Sequence, residues 1–104
     1  MAILHITKET FKDEVLNSKE PVLVDFWATW CGPCKALAPV LEDCEQELAG
    51  EVKIAKIDID QQEELAREYN VMSIPTLLLF KDGEVVEKSV GLIPKDEVMK
   101  LARS

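Results

Sequence analysis

The stretch Val22-Leu23-Val24-Asp25-Phe26-Trp27-Ala28-Thr29-Trp30-Cys31-Gly32-Pro33-Cys34-Lys35 decides how this chain is read. Its first seven residues are a continuous apolar run broken only by Asp25. A strand apolar on both faces belongs in the middle of a sheet with helices covering each side. Beyond the two cysteines, Leu37, Val40, Leu41, Cys44 and Leu48 recur on one stripe, which predicts a helix from Cys34 to Leu48, bent at Pro39 and ended by Gly50. The cysteine pair therefore sits where a buried strand passes into a helix.

That placement has chemical consequences. Unpaired N–H groups and the helix dipole favour negative charge at a helix start, so the position lowers the pKa of Cys31 and activates it as a thiolate nucleophile. The three-residue spacing puts both sulfurs on one helix face, within reach of a small disulfide ring. So short a ring removes little chain entropy and is a poor structural staple, which favours reversible use. Pro33 is tolerated in a first helical turn, and Gly32 permits close approach of a partner backbone.

Two other chemistries compete. A Cys-x-x-Cys pair can be half of a zinc site, but the remaining ligands would have to be His5 and Cys44. A cysteine hydrolase needs a nearby base; His5 is the one histidine, and Cys34 would be left unexplained. Cys44 falls on the inward stripe of the helix and reads as a small core hydrophobe, and His5 receives no function. Asp25, isolated in an apolar strand, is desolvated with its pKa raised; it is either a poised acid beside the dithiol or half of a buried ion pair.

Working outward, Ala2 to Ile6 reads as a short strand and Thr7 as the cap of a helix carrying Phe11, Val15 and Leu16. Val52 to Ile59 is a strand, and Gln61 to Tyr69 a short helix with Leu65, Ala66 and Tyr69 inward. Thr76 to Phe80 and Glu84 to Val90 form a hairpin through Lys81-Asp82-Gly83, since Asp-Gly signals a tight turn. Pro94 opens a last helix with Val98, Leu101 and Ala102 inward. The order describes an α/β sandwich whose sheet is parallel in its first half and antiparallel at its end.

At 104 residues, with 47% hydrophobic and 31% charged side chains, the chain fits one domain with a real core. A net charge of −8 and scattered basic residues argue against nucleic acid and anionic lipid as partners. There is no membrane-length apolar run and no basic-then-apolar leader, so the sequence reads as soluble and cytoplasmic.

The motif Trp30-Cys31-Gly32-Pro33-Cys34-Lys35 resembles the active site of the thioredoxin family, in wording closer to its bacterial members. The similarity continues through Val24–Ala28, Ala38-Pro39, Ala55–Asp60, Ile74-Pro75-Thr76-Leu77 and Phe80–Gly83, nearly the whole chain. Thioredoxins are themselves a standard example of a thiol activated by its surroundings. The resemblance implies a thioredoxin fold over 1–104: a central mixed five-stranded sheet flanked by four helices.

It also implies roles for particular residues. Cys31 is the nucleophile and Cys34 the resolving thiol. Asp25 lies behind Cys34 as a proton relay, with Lys56 close to it. The Ile74-Pro75 bond is cis and faces the cysteines, so that the Ile74 backbone pairs with an extended substrate; an ordinary strand-start proline is the plain alternative. An apolar rim of Trp30, Gly32, Pro33, Ile59, Ile74, Pro75, Val90, Gly91 and Leu92 receives protein partners, and Trp27 packs beneath the site.

The implied activity is protein-disulfide reduction in cell redox homeostasis, by a monomer with no bound cofactor. Electrons come from NADPH through a flavin-containing thioredoxin reductase. Clients are of the ribonucleotide reductase, peroxiredoxin and methionine sulfoxide reductase type. One departure stands out: Met72-Ser73 replaces the Arg-Gly common in the family, exchanging a positive charge for a flexible apolar side chain. Two rival functions remain: a disulfide-forming oxidant, disfavoured by Gly32-Pro33 and the plain N-terminus, and a non-catalytic module gripping partners through its rim.

Overall fold

The central strand comes first because everything packs on it. In a computed structural model that describes residues 3–104, β2 (Val22–Trp27) is buried through its first five residues, Asp25 included. On one side it pairs in parallel with β3 (Lys53–Asp58), which pairs in parallel with the two-residue β1 (Leu4–His5). On its other side lies antiparallel β4 (Thr76–Lys81), followed by antiparallel β5 (Glu84–Val90). The sheet order is therefore β1-β3-β2-β4-β5. Parallel pairing requires the long crossovers that the helices supply, whereas β4 and β5 need only a tight turn.

Alternation along the strands sorts the core into two layers. Val22, Val24 and Phe26 point to one face with Ala55, Ile57, Leu78 and Phe80. There they meet Phe11 and Val15 of the first helical segment and Leu65 of α3 (Glu63–Glu68). Phe11, Tyr69 and Phe80 pack with ring centroids 5.3–5.8 Å apart. Leu23, Ile54, Leu77 and Leu79 face the other way, under Leu37, Leu41, Cys44 and Leu48 of α2 (Gly32–Leu48) and Val98 and Ala102 of α4 (Lys95–Ala102). The five-stranded sheet and four helices are those the resemblance implies.

Several element ends differ from the sequence reading. The expected first strand begins at Ala2, outside the described residues, and strand geometry covers Leu4–His5 only. The first helix is not regular: α1 (Lys8–Phe11) continues into a π-helical turn over Lys12–Leu16, closed by Asn17 N–H to the Lys12 carbonyl at 2.8 Å. Side-chain spacing over one turn cannot separate the two windings. The second helix starts at Gly32 rather than Cys34, because Pro33 brings a preset φ and needs no N–H partner in the first turn. It runs through Pro39 to Leu48. Pro94 is the N-cap of α4, just outside it. The third helix is shorter than expected, with Tyr69 as its C-cap.

The hairpin turn is as the sequence demands. Asp82 and Gly83 both have positive φ, 52° and 81°, the twist that joins antiparallel strands tightly. Gly83 carries a second constraint: a Cβ there would stand 3.0 Å from the Leu16 carbonyl oxygen, at the end of the π-helical turn. A Gly83→Ala substitution is expected to destabilise the protein by about 1–2 kcal/mol, from left-handed strain and this contact together. Chemical denaturation of the two proteins, compared by midpoint at unchanged slope, measures it.

Candidate active site

Four chain segments meet at one edge of the sheet because of the strand directions. β2 and β3 run parallel and both end there, β4 begins there, and β5 ends there, with Phe26 opposite Thr76 and Thr76 opposite Val90. The loop after the carboxyl end of a central strand, leading into a helix, is where α/β sheets hold their ligands. Here that loop carries the dithiol.

Cys31 is the N-cap of α2, and its Sγ accepts a hydrogen bond from the Cys34 backbone N–H at 3.2 Å. One of the free donors of the helix start is thus spent on sulfur instead of on the usual Ser or Asp oxygen. Cys31 and Cys34 are joined as a disulfide with Cα atoms 5.2 Å apart. Both are buried, Cys34 the more so, in a small apolar cluster with Ala28, against which Trp27, Ile59 and Ile74 pack. Gly32 has open space where a Cβ would project, and it and Pro33 are exposed beside the sulfurs.

The proline segment closes the opposite side. The Ile74-Pro75 peptide bond is cis, and the Ile74 carbonyl oxygen lies 3.9 Å from Cys31 Sγ. Gly91, at φ +100°, donates its N–H to the Pro75 carbonyl at 2.8 Å, which ties the segment after β5 to the proline loop. Val90 and Leu92 on either side of it are exposed. Trp30 is exposed as well, with its indole Nε1 donating to Asp60 Oδ2 at 2.8 Å.

Asp25 is fully buried on the α2 face of the sheet, and no protein group bonds either carboxylate oxygen. Burial pushes its pKa up to about 7, the positive charge of Lys56 pulling the other way. Lys56 is in register with Asp25 on the neighbouring strand, yet no ion pair within 4 Å forms between them among the described residues. Its Nζ instead sits 4.7 Å above the Trp27 ring. The alternative of a closed buried ion pair therefore does not describe Asp25.

The structure gathers Trp30, Cys31, Gly32, Pro33, Cys34, Ile59, Ile74, Pro75, Val90, Gly91 and Leu92 at this edge, with Asp25 and Lys56 paired further back along β2 and β3. It separates Cys44, which is buried in the core layer under α2, its thiol pushed up by burial. Trp27 is half-buried rather than wholly core. His5 stands exposed on β1, and among the described residues no three His, Cys, Asp or Glu side chains converge as a metal would require. Sequence reasoning missed Asp60. The alternation Asp58-Ile59-Asp60 at the end of β3 was its only signal, and nothing there says which side chain the carboxylate meets.

A cysteine pair joined as a disulfide at the start of a helix, beside the carboxyl end of a central strand, is the apparatus of a thiol–disulfide oxidoreductase. The comparisons agree: the Thioredoxin family model matches residues 2–104. The chain is 55% identical over 101 residues to thioredoxin of Bacillus subtilis, covering 97% of this chain and 95% of the relative. It is 53% identical to thioredoxin C-2 of Corynebacterium nephridii, covering 92% and 89%, and 54% identical to thioredoxin of Mycobacterium tuberculosis, covering 86% and 78%. This chain belongs to the thioredoxin family. Its activity is protein-disulfide oxidoreduction at a redox-active cysteine pair, for which the family needs no bound cofactor. Its partners are, in general terms, disulfide-containing proteins and a reductase.

The burial of Asp25 has a measurable cost. The unfolded chain releases this proton near the ordinary value of 3.8, while the folded protein holds it up to about 7. Stability is therefore highest below pH 4 as far as this group is concerned, and drains away as pH rises toward 7, by on the order of 4 kcal/mol at most. Denaturant unfolding of Asp25→Ala with the disulfide intact is expected to show a protein more stable than the parent at pH 8, with the gain shrinking toward pH 4.

Proposed function

We propose that Cys31 is the attacking thiol, Cys34 the resolving thiol and Asp25 the proton relay, with Lys56 as the charge that tunes Asp25. The observation that carries this reading is the Cys34 N–H directed at Cys31 Sγ at the start of α2. In the reduced protein that donor favours a thiolate at Cys31 over one at Cys34, which lies one turn further in and more deeply buried.

The exchange then proceeds in two displacements. The Cys31 thiolate attacks one sulfur of a client disulfide; the other client sulfur leaves and takes up a proton. Cys34 gives its proton to the Asp25 carboxylate and attacks Cys31 Sγ, releasing the second client sulfur, which is protonated in turn. Two electrons have passed to the client, and the Cys31–Cys34 disulfide remains. Thioredoxins are a reference case for such chemistry, and the order of events is carried over from the family.

Gly32 and Pro33 hold the spacing of the sulfurs and leave the approach open. Trp30, Ile59, Ile74, Pro75, Val90, Gly91 and Leu92 form the docking rim, with the Ile74 backbone pairing to an extended client segment. We place the electron source in NADPH, delivered by a flavin-containing thioredoxin reductase. Clients are enzymes that regenerate catalytic thiols, of the ribonucleotide reductase, peroxiredoxin and methionine sulfoxide reductase type. The chain works as one domain over 1–104, as a monomer, in the cytoplasm. Among the described residues no helix is long and apolar enough to cross a membrane.

Cys34→Ser is expected to capture client proteins as mixed disulfides through Cys31, and Cys31→Ser to capture none. A protein that binds partners equally well in both variants, and whose parent reduces nothing, is an interaction module instead. The resolving step should quicken as pH rises through about 7, where Asp25 becomes a base. In Asp25→Asn that inflection should be absent from rapid-mixing traces of mixed-disulfide decay.

A further inference from the structure

The surface around the dithiol is chemically lopsided. Among the described residues six large apolar side chains stand exposed, and four of them (Trp30, Met72, Val90 and Leu92) lie on three of the four segments that meet at the active edge. Met72 is the extreme, 91% exposed. It stands two residues before Ile74, whose carbonyl is 3.9 Å from Cys31 Sγ. Chain reach alone holds the Met72 Cα within about 7 Å of that of Ile74.

Charge is missing from the two chain segments that carry Met72, Val90 and Leu92. The chain carries 12 Lys and Arg and 20 Asp and Glu, yet Tyr69 to Phe80 and Ser89 to Pro94 contain none of them. The carboxylates of the site stand instead on the segment after β3, where Asp60 is held by the Trp30 indole. A methionine so exposed makes little packing contribution to the fold. Its unbranched, polarisable side chain is suited to lying along a partner's apolar surface.

We propose that Met72 is a specificity-determining residue of the exchange reaction, favouring clients that carry a Leu-sized apolar side chain beside the disulfide under attack. The inference rests on the dithiol reading above. The occupant is an extended client segment passing Ile74, since the sulfur to be attacked must reach Cys31 and Met72 stands exposed two residues from Ile74. An apolar side chain placed there loses water against Met72, Val90 or Leu92. A carboxylate placed there loses water and finds no cation in either segment. Half-burial of one thioether against one Leu corresponds to a preference of about fivefold.

The test uses two synthetic peptide disulfides, identical except for Leu or Glu at the two positions before the attacked cysteine. Their kcat/KM ratio is measured for the parent, Met72→Leu, Met72→Ser and Met72→Arg, each alongside its rate on bis(2-hydroxyethyl) disulfide. The parent and Met72→Leu should prefer the Leu peptide by about fivefold. Met72→Ser should lose most of that preference, and Met72→Arg should reverse it, mainly through KM. A ratio that is the same in all four proteins overturns the inference while leaving the dithiol mechanism standing. A parent protein that reduces neither the peptides nor the small disulfide overturns both.

Discussion

A backbone N–H directed at a sulfur is the contact on which the site depends. The Cys34 amide donates to Cys31 Sγ because β2 ends, a short loop follows, and α2 begins with its unpaired donors facing outward. The strand fixes where the loop starts, and the stripe Leu37, Leu41, Cys44 and Leu48 fixes the helix against the sheet. The two sulfurs sit in a small cluster of their own with Ala28, at the edge of the two core layers. The sulfurs themselves are buried, while side chains around the mouth of the site are among the most exposed apolar groups of the described residues.

Asp25 shows the opposite economy. Each neighbour in its strand strengthens the core, but Asp25 weakens it at neutral pH, with two buried oxygens that no protein group bonds. Replacing it with an apolar residue would be the simpler solution for folding alone. The proton-relay role proposed for Asp25 would account for its presence, in keeping with the tendency of strongly perturbed groups to gather at functional sites. Lys56, one strand over, softens the penalty without abolishing it, since its ammonium lies over Trp27 instead of bonding the carboxylate.

The mixed sheet explains why so many distant segments contribute to one surface. Parallel β2 and β3 bring the dithiol loop and Ile59-Asp60 to the same edge, and reversing direction at β4 and β5 brings Ile74-Pro75 and Val90-Leu92 there too. The Gly91 to Pro75 hydrogen bond then locks two of these segments together. A fully parallel sheet of the same strands would send β4 away from the edge and leave Cys31 without its facing proline.

By itself the sequence determined a great deal here. The apolar run from Val22 to Ala28 specified a central strand, the stripe from Leu37 to Leu48 a packed helix, Asp82-Gly83 a hairpin, and the spacing of Cys31 and Cys34 a reversible disulfide. These are local signals, set by side-chain period, turn chemistry and ring size. The windings at Lys12–Leu16 and the true start of α2 were not legible, because one helical turn has too few side chains to reveal its pitch. Asp25 was legible as an isolated acid in an apolar strand, but its relay role, the cis state of Ile74-Pro75, the placing of Lys56 and the rim came only from family resemblance. What only the tertiary structure supplied was who meets whom at the level of atoms: the Trp30 indole with Asp60, the Lys56 ammonium with Trp27 rather than Asp25, and the Ile74 carbonyl, expected on this side by resemblance, with Cys31 Sγ. Those pairings join residues 29 to 43 positions apart, and at such separations only the register of the sheet, set by burial of both its faces, selects one partner from many.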